Sequence, residues 1–236
     1  MNENLIFTAT YNEYPNIKYL LKKIKDLKLN LDILVIDDNS TDGTKSFLNN
    51  YKKFSKNFFL INRKKKLGLD TAHKIAFKFA KKNKYKNIIT LDADLSHDPK
   101  LIPFFLKKLR TKKFVIGSRY VKGGKSEMKL SRYLISFVGN KIIKYVLKIN
   151  SNEFTTSYRG FTISKMKYIN FSNIKSKGYS FFMETIFLIN KSKIQINEIP
   201  IHFKDRFHGI SKIPKYEILR TLFNLIRLKL SLIKTF

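Results

Sequence analysis

Along the first half of the chain, short apolar runs alternate with longer stretches in which hydrophobic positions recur every three or four residues. The runs at 5–9, 33–36, 58–61, 88–91 and 114–116 predict buried strands. The stretches at 16–27, 43–51, 69–82 and 99–109 predict helices with one apolar face and lysine-rich outer faces. Such alternation predicts an α/β fold built on a mostly parallel, doubly wound sheet with helices on both faces. After Gly123 and Gly124 the pattern changes to a long amphipathic stretch at 128–149, a polar patch at 152–160, a helix near 181–190 and a strand at 194–199. In the last segment, 213–236, Ile213, Tyr216, Leu219, Leu222, Phe223, Ile226, Leu230 and Ile233 form one helical stripe flanked by lysine and arginine. A C-terminal amphipathic helix of this kind either lies in a bilayer interface or packs on its own domain. The expected organisation is one domain over 1–212 followed by this helix over 213–236.

In sheets of this class ligands bind beyond the carboxyl ends of the strands. The polar clusters fall at those ends. Thr10-Tyr11-Asn12-Glu13 follows the first strand, Asp37-Asp38-Asn39-Ser40-Thr41-Asp42-Gly43 the second, Asp92-Ala93-Asp94 the fourth and Gly117-Ser118-Arg119 the fifth. Asp92 and Asp94, two residues apart on extended backbone, point the same way, and their repulsion is relieved by a shared cation. Mg2+ or Mn2+ bound by one or two carboxylates plus substrate phosphates fits that pattern, whereas an isolated Asp-x-Asp would read as a solvated turn. Asp37 and Asp38 can accept hydrogen bonds from nucleoside hydroxyls or ring N–H groups, with Ser40 or Thr41 capping the next helix. Turn chemistry alone also accounts for 39–43. Gly68 serves a turn, and Lys64 to Lys66 beside it can face nucleotide phosphates.

Composition narrows the partners. With 48 Lys+Arg against 17 Asp+Glu the formal charge is +31, which draws phosphates, nucleotides, nucleic acid or anionic lipid without choosing among them. A lysine-rich genome composition explains the same excess equally well. A hydrophobic content of 43% places the chain among folded proteins. Without cysteine, neither a disulfide framework nor a thiolate metal site can form, so any metal takes oxygen or imidazole ligands. His73, His97, His202 and His208 lack metal-ligand spacing. No run of eighteen or more apolar residues occurs, and the acidic start at Glu3 does not read as a signal peptide.

Six strings in order, Thr10 to Glu13, Asp37 to Thr44, Lys66 to Leu69, Asp92 to Pro99, Gly117 to Tyr120 and Asp205 to Lys212, make the chain resemble the dolichol-phosphate mannosyltransferases and their polyprenol-phosphate relatives over nearly its whole length. The resemblance implies an inverting glycosyltransferase of family 2 with a GT-A fold. It implies a nucleotide-sugar site at Thr10, Tyr11, Glu13, Asp37, Asp38, Gly68, Asp92 and Ala93, and a metal site at Asp92 and Asp94 with a third contact from Ser96. Asp94, Arg119, Arg206 and Lys212 are the implied catalytic and phosphate-handling residues, and Arg159 and Ser211 the acceptor-phosphate contacts. The implied partners are a nucleotide-sugar, with GDP-mannose first, a polyprenyl or dolichyl monophosphate, and an anionic membrane surface. The implied location is the cytoplasmic face of a membrane, to which the protein binds peripherally.

Departures from the family pattern are few. Ala9 stands where the family has proline. Glu153-Phe154-Thr155-Thr156-Ser157-Tyr158-Arg159 lacks the family's glycine, and Phe182 replaces a glutamine. An acceptor that is already an anionic phosphate needs positioning and charge neutralisation more than a general base. A family 2 enzyme acting on a saccharide hydroxyl would need such a base. A basic nucleic-acid-binding protein is the remaining alternative, but no recognition module supports it.

Overall fold

The computed structural model describes residues 2–166, 169–208 and 216–233. Its first half follows the sequence pattern: β1 (Asn4–Thr10), α1 (Tyr14–Asp26), β2 (Asp32–Asp37), α2 (Thr44–Lys53), β3 (Phe58–Asn62), α3 (Leu69–Lys82), β4 (Asn87–Thr90), α4 (Ile102–Leu109) and β5 (Phe114–Ser118). Every residue of β2, β4 and β5 is buried, as continuous apolar strands covered on both faces must be. β6 (Lys125–Ser126), α5 (Leu130–Leu147), β7 (Arg159–Thr162), α6 (Ser180–Lys191), β8 (Asn197–Pro200), β9 (His202–Phe203) and α7 (Glu217–Ile233) complete the chain.

The main sheet has seven strands in the order β3-β2-β1-β4-β7-β5-β8. β1, β2, β3 and β4 are mutually parallel, with Thr10 opposite Asp37 and Phe7 opposite Thr90. Their carboxyl ends therefore share one edge. β7 runs antiparallel between β4 and β5. The hydrophobic pattern does not announce this strand, because its four residues begin with Arg159 inside the polar patch. Its neighbour Gly160 admits α4 closely: a Cβ there would lie 2.9 Å from Leu109 Cδ1.

One apolar core lies between the sheet and α3, α5, α6 and α7, with Phe77, Phe161, Phe181 and Ile186 among its members. The other joins Ile17, Leu21, Leu48, Ile102 and Phe105 from α1, α2 and α4 on the opposite face. Buried Leu225 and Leu228 anchor α7, while Leu219, Phe223 and Ile226 of the same helix face outward. Among the described residues no helix is long and apolar enough to cross a membrane.

Candidate active site

Three loops at the shared sheet edge pass through left-handed backbone at Asn12 (φ 54°), Asn39 (φ 66°) and Leu95 (φ 65°). Asparagine tolerates that region, whereas a bulky leucine there is uncommon, and such strain concentrates at functional sites. The turn at Leu95 folds the chain back, so that the backbone N–H and hydroxyl of Ser96 both donate to Asp94 Oδ1, at 3.1 and 2.6 Å. Ser96 is itself buried and orients a carboxylate rather than opening onto the cleft.

Asp92 is held from the other side. Ser157 Oγ donates to its Oδ1 at 2.5 Å, and its backbone N–H donates to His97 Nδ1 at 3.1 Å. Burial depresses the His97 pKa, so the ring is neutral, its proton sits on Nε2, and Thr156 Oγ1 receives it at 3.1 Å. The 3.6 Å approach of His97 Nδ1 to Asp92 Oδ2 is therefore not an ion pair. Burial raises the Asp92 carboxyl above its usual value and the Asp94 carboxylate adds to the rise. A cation stationed here relieves both effects.

The structure supplies one. The segment following β9 pairs with the turn through Lys204 N–H to Ser96 O and Phe207 N–H to Asp94 O, both at 3.1 Å. This pairing carries the Arg206 guanidinium to 3.0 Å from Asp94 Oδ2 and 3.5 Å from Glu13 Oε1. Tyr11, Glu13, Gly68, Asp92, Ala93, Asp94 and Arg206 line one cleft of about 450 Å³, joined by Lys66, Lys177, Tyr179 and Arg220. The Lys66 ammonium sits 4.1 Å from the centroid of the Tyr11 ring.

Other sequence-selected residues lie elsewhere. Asp37 is fully buried and spends both oxygens on Ser40, accepting from its N–H at 2.9 Å and its hydroxyl at 2.5 Å. Asp38 accepts from Leu67 N–H, Gly68 N–H and Arg63 Nη1 at 3.0, 2.9 and 2.8 Å. Neither carboxylate lines that cleft, though Asp38 holds the Leu67 and Gly68 backbone that does. Thr10 is buried, with its carbonyl accepting from Asp38 N–H.

Arg159 requires a correction. It is 1% exposed, and its three donor groups go to the carbonyls of Thr156, Phe182 and Phe154 at 2.8 to 2.9 Å. Burial brings its pKa down to about 9. A guanidinium so enclosed ties β7 to α6 and cannot reach an acceptor phosphate. Arg119 is also buried, paired with Glu153 through two 2.8 Å bonds and with Thr155 Oγ1 through a third. It nevertheless reaches the wall of a second cavity. Ser211 and Lys212 lie outside the described residues.

That second cavity, about 420 Å³, runs from Asp92 and Tyr179 between α5 and α7. Ile135, Ile142, Ile143, Leu222 and Leu225 give it apolar walls, while Arg119, Arg132 and Ser136 stand on its α5 side. Arg132 and Arg63 escape the sequence reading, and Tyr179, within the family-like string Gly178 to Glu184, carries no role in it. Arg132 and Tyr179 sit outside strand-end motifs, and burial of Arg63 becomes visible only once β3 is aligned beside β2.

The profile of the glycosyl transferase family 2 matches residues 5–192. The chain belongs to glycosyl transferase family 2. It is an enzyme, a glycosyltransferase, and its mixed, mostly parallel sheet is of the GT-A type. It is 33% identical over 209 residues to the undecaprenyl-phosphate mannosyltransferase of Micrococcus luteus, covering 88% of this chain and 86% of that protein. It is 28% identical to the polyprenol monophosphomannose synthase of Mycolicibacterium smegmatis, covering 93% and 84%. Among solved structures, glucosyl-3-phosphoglycerate synthase from Mycobacterium tuberculosis, in complex with Mn2+, UDP and glucosyl-3-phosphoglycerate, superposes with a TM-score of 0.67 at 14% identity, over 98% of this chain and 79% of that one. A mannosyltransferase from Pyrobaculum calidifontis, in complex with GDP-Man and Mn2+, gives 0.61 at 15% identity, over 96% and 64%. At those identities the structural likeness speaks to the fold.

Proposed function

We propose that this glycosyltransferase transfers a hexose, mannose from GDP-mannose first, onto a polyprenyl monophosphate at the surface of a membrane. The observation that carries the reading is the meeting of the two cavities at Asp92 and Tyr179: a polar cleft with paired carboxylates opens there into an apolar groove between α5 and α7. A nucleotide-sugar suits the first, and an isoprenoid chain headed by a phosphate suits the second.

Asp92 and Asp94 fit a divalent ion: they are two oriented carboxylates in a cleft that already attracts a guanidinium. Among the described residues no cluster of three or more carboxylate or imidazole ligands forms, so phosphate oxygens of the donor would complete the shell, as is usual for Mg2+ or Mn2+. Bound there, the ion would supply Lewis-acid stabilisation of the departing diphosphate. Arg206, displaced from Asp94, and Lys66 would share that charge. Arg132, at the mouth of the groove, is placed to hold the acceptor phosphate, with Arg119 and Ser136 beside it. An acceptor phosphate oxygen then bonds to the anomeric carbon as the bond to the diphosphate oxygen breaks, and the nucleoside diphosphate leaves with the electron pair. Attack opposite the leaving group inverts the anomeric centre.

The membrane reading rests on the outer faces of the same two helices. Leu130, Leu134, Val138 and Tyr145 of α5 and Leu219, Phe223 and Ile226 of α7 are exposed, and Lys129, Lys141 and Lys229 are their cationic neighbours along the two helices. An apolar face rimmed by cations suits an anionic bilayer and lets a lipid acceptor enter the groove without leaving it. We assign this face to the cytoplasmic leaflet, whose anionic lipids suit such a basic rim. The test is incubation of purified protein with polyprenyl phosphate, Mn2+ or Mg2+, and labelled GDP-mannose, UDP-glucose or UDP-N-acetylglucosamine. Label from GDP-mannose is expected in the organic extract; label reaching only water-soluble saccharide would overturn the acceptor assignment.

A further inference from the structure

α7 begins beyond residue 192, where the match to the family ends, yet it walls both cavities. Its first turn carries Glu217, whose side chain is 8% exposed and lines the donor cleft and the apolar groove alike. Glu217 Oε2 accepts the backbone N–H of Tyr179 at 3.1 Å, and Oε1 pairs with Arg220 on the same helix. The preceding residue, Gly178, has φ +60°, and a Cβ on it would stand 2.6 and 2.7 Å from the two carboxylate oxygens. Glycine there thus lets a buried carboxylate close on the backbone. Tyr179 in turn borders Asp92 in both cavities; burial, then the Asp92 carboxylate, hold its hydroxyl well above the usual range.

We infer that Glu217 is a positioning residue for transfer: it locks Tyr179 at the junction of donor cleft and acceptor groove, and so makes docking of α7 a condition of a competent active site. The inference rests on the proposed reading of those cavities. A buried carboxylate bonded to a backbone N–H fixes that peptide more firmly than a neutral acceptor does. Besides Arg220, Asp70 stands beside it, accepting the Gly178 N–H at 3.2 Å, and Lys177, Arg206, Asp92 and Asp94 line the same cleft. Because the other face of α7 is apolar and exposed, the same helix that meets the bilayer holds the reacting centre in place.

The experiment uses the full chain and the variants Glu217→Ala and Glu217→Gln, assayed for transfer to polyprenyl phosphate in phosphatidylglycerol vesicles and for hydrogen exchange of individual amides. Glu217→Ala is expected to lower kcat by about thirtyfold and to speed exchange at Tyr179 about tenfold, with sheet amides unchanged. Glu217→Gln keeps an oxygen on the Tyr179 N–H and is expected to recover most of kcat, to within about fivefold of the parent. Parental kcat in Glu217→Ala, or unchanged exchange at Tyr179, overturns the inference. Should Glu217→Ala not fold, Glu217→Gln decides: equal losses of kcat and of sheet-amide protection would make the residue merely structural and overturn it too. Failure of the parent chain to transfer sugar to the lipid would instead sink the functional reading itself.

Discussion

Arg206 Nη2 lies 3.0 Å from Asp94 Oδ2, so a guanidinium occupies the flank of the carboxylate pair where a divalent ion and a diphosphate are expected to meet. Competition between two cations for one carboxylate follows. Replacing Arg206 with alanine should tighten binding of Mn2+ alone about threefold while weakening binding of the Mn2+–nucleotide-sugar complex about tenfold, because the arginine then owes its charge to phosphate. Electron paramagnetic resonance of free Mn2+ measures both. A variant that weakened the two equally would show that Arg206 only braces the fold.

Arg132 should separate acceptor from donor. It lines the apolar groove from α5 and does not line the polar cleft, although it shares the groove with Asp92 and Tyr179, where the two meet. Arg132→Met should raise KM for polyprenyl phosphate about tenfold or more and leave KM for the nucleotide-sugar within about twofold. Steady-state kinetics with each substrate varied in turn give the answer, and a donor-side effect would place Arg132 in the other site.

Asp38 should matter through stability first. Its carboxylate is bonded to Nη1 of the buried Arg63 guanidinium, which also donates to Gly68 O and Thr71 Oγ1, while Nε and Nη2 have no partner among the described residues. Asp38→Ala leaves that charge uncompensated and should cost about 3 to 5 kcal/mol, read as a shift of the urea midpoint. A change below about 0.5 kcal/mol would mean that Arg63 is solvated by water entering the gap.

Acid should destabilise the fold through a histidine. His73 is buried among Phe7, Phe77, Phe181 and Phe182, and burial, with the Arg159 charge adding to it, lowers its pKa to about 3. In the unfolded chain the ring titrates near 6.5, so between 6.5 and about 3 the unfolded state binds the extra proton. Stability from this group is complete above pH 6.5 and falls below it by up to about 1.4 kcal/mol per pH unit. Urea unfolding at pH 7 and pH 5 measures the slope. His73→Phe should flatten it, and an unchanged slope in that variant would assign the acid sensitivity elsewhere.

What the sequence discloses follows from how far each residue's role depends on neighbours in the chain. The five strands of the first half are legible because burial on both faces demands unbroken apolar runs such as 33–36. β7 is not, since a four-residue strand beginning with a charged side chain carries no period. Asp92 and Asp94 are legible as a pair because two acids two residues apart after an apolar strand call for a shared cation, although the chain brings them together through a turn beyond β4 and not on extended backbone. Arg159 reads as a cation for phosphate until the fold surrounds it with the carbonyls of Phe154, Thr156 and Phe182. Asp37 and Asp38 look like ligand-facing acids, and only the adjoining turns reveal that Ser40 bonds the first and Leu67, Gly68 and Arg63 the second. Arg132 and Tyr179 become conspicuous only when α5, α6 and α7 enclose one groove.

If Asp92 and Asp94 join a nucleotide-sugar cleft to a lipid-phosphate groove, sugar transfer must depend on a metal held by that pair. Transfer of labelled mannose from GDP-mannose to undecaprenyl phosphate in anionic vesicles is followed for the parent and for Asp94→Ala, with urea unfolding alongside. The parent should move label into the organic extract only when Mn2+ or Mg2+ is present, and Asp94→Ala should lose about a thousandfold in rate with a midpoint close to the parent's. Undiminished transfer by Asp94→Ala, or transfer by the parent that persists in excess chelator, would contradict it.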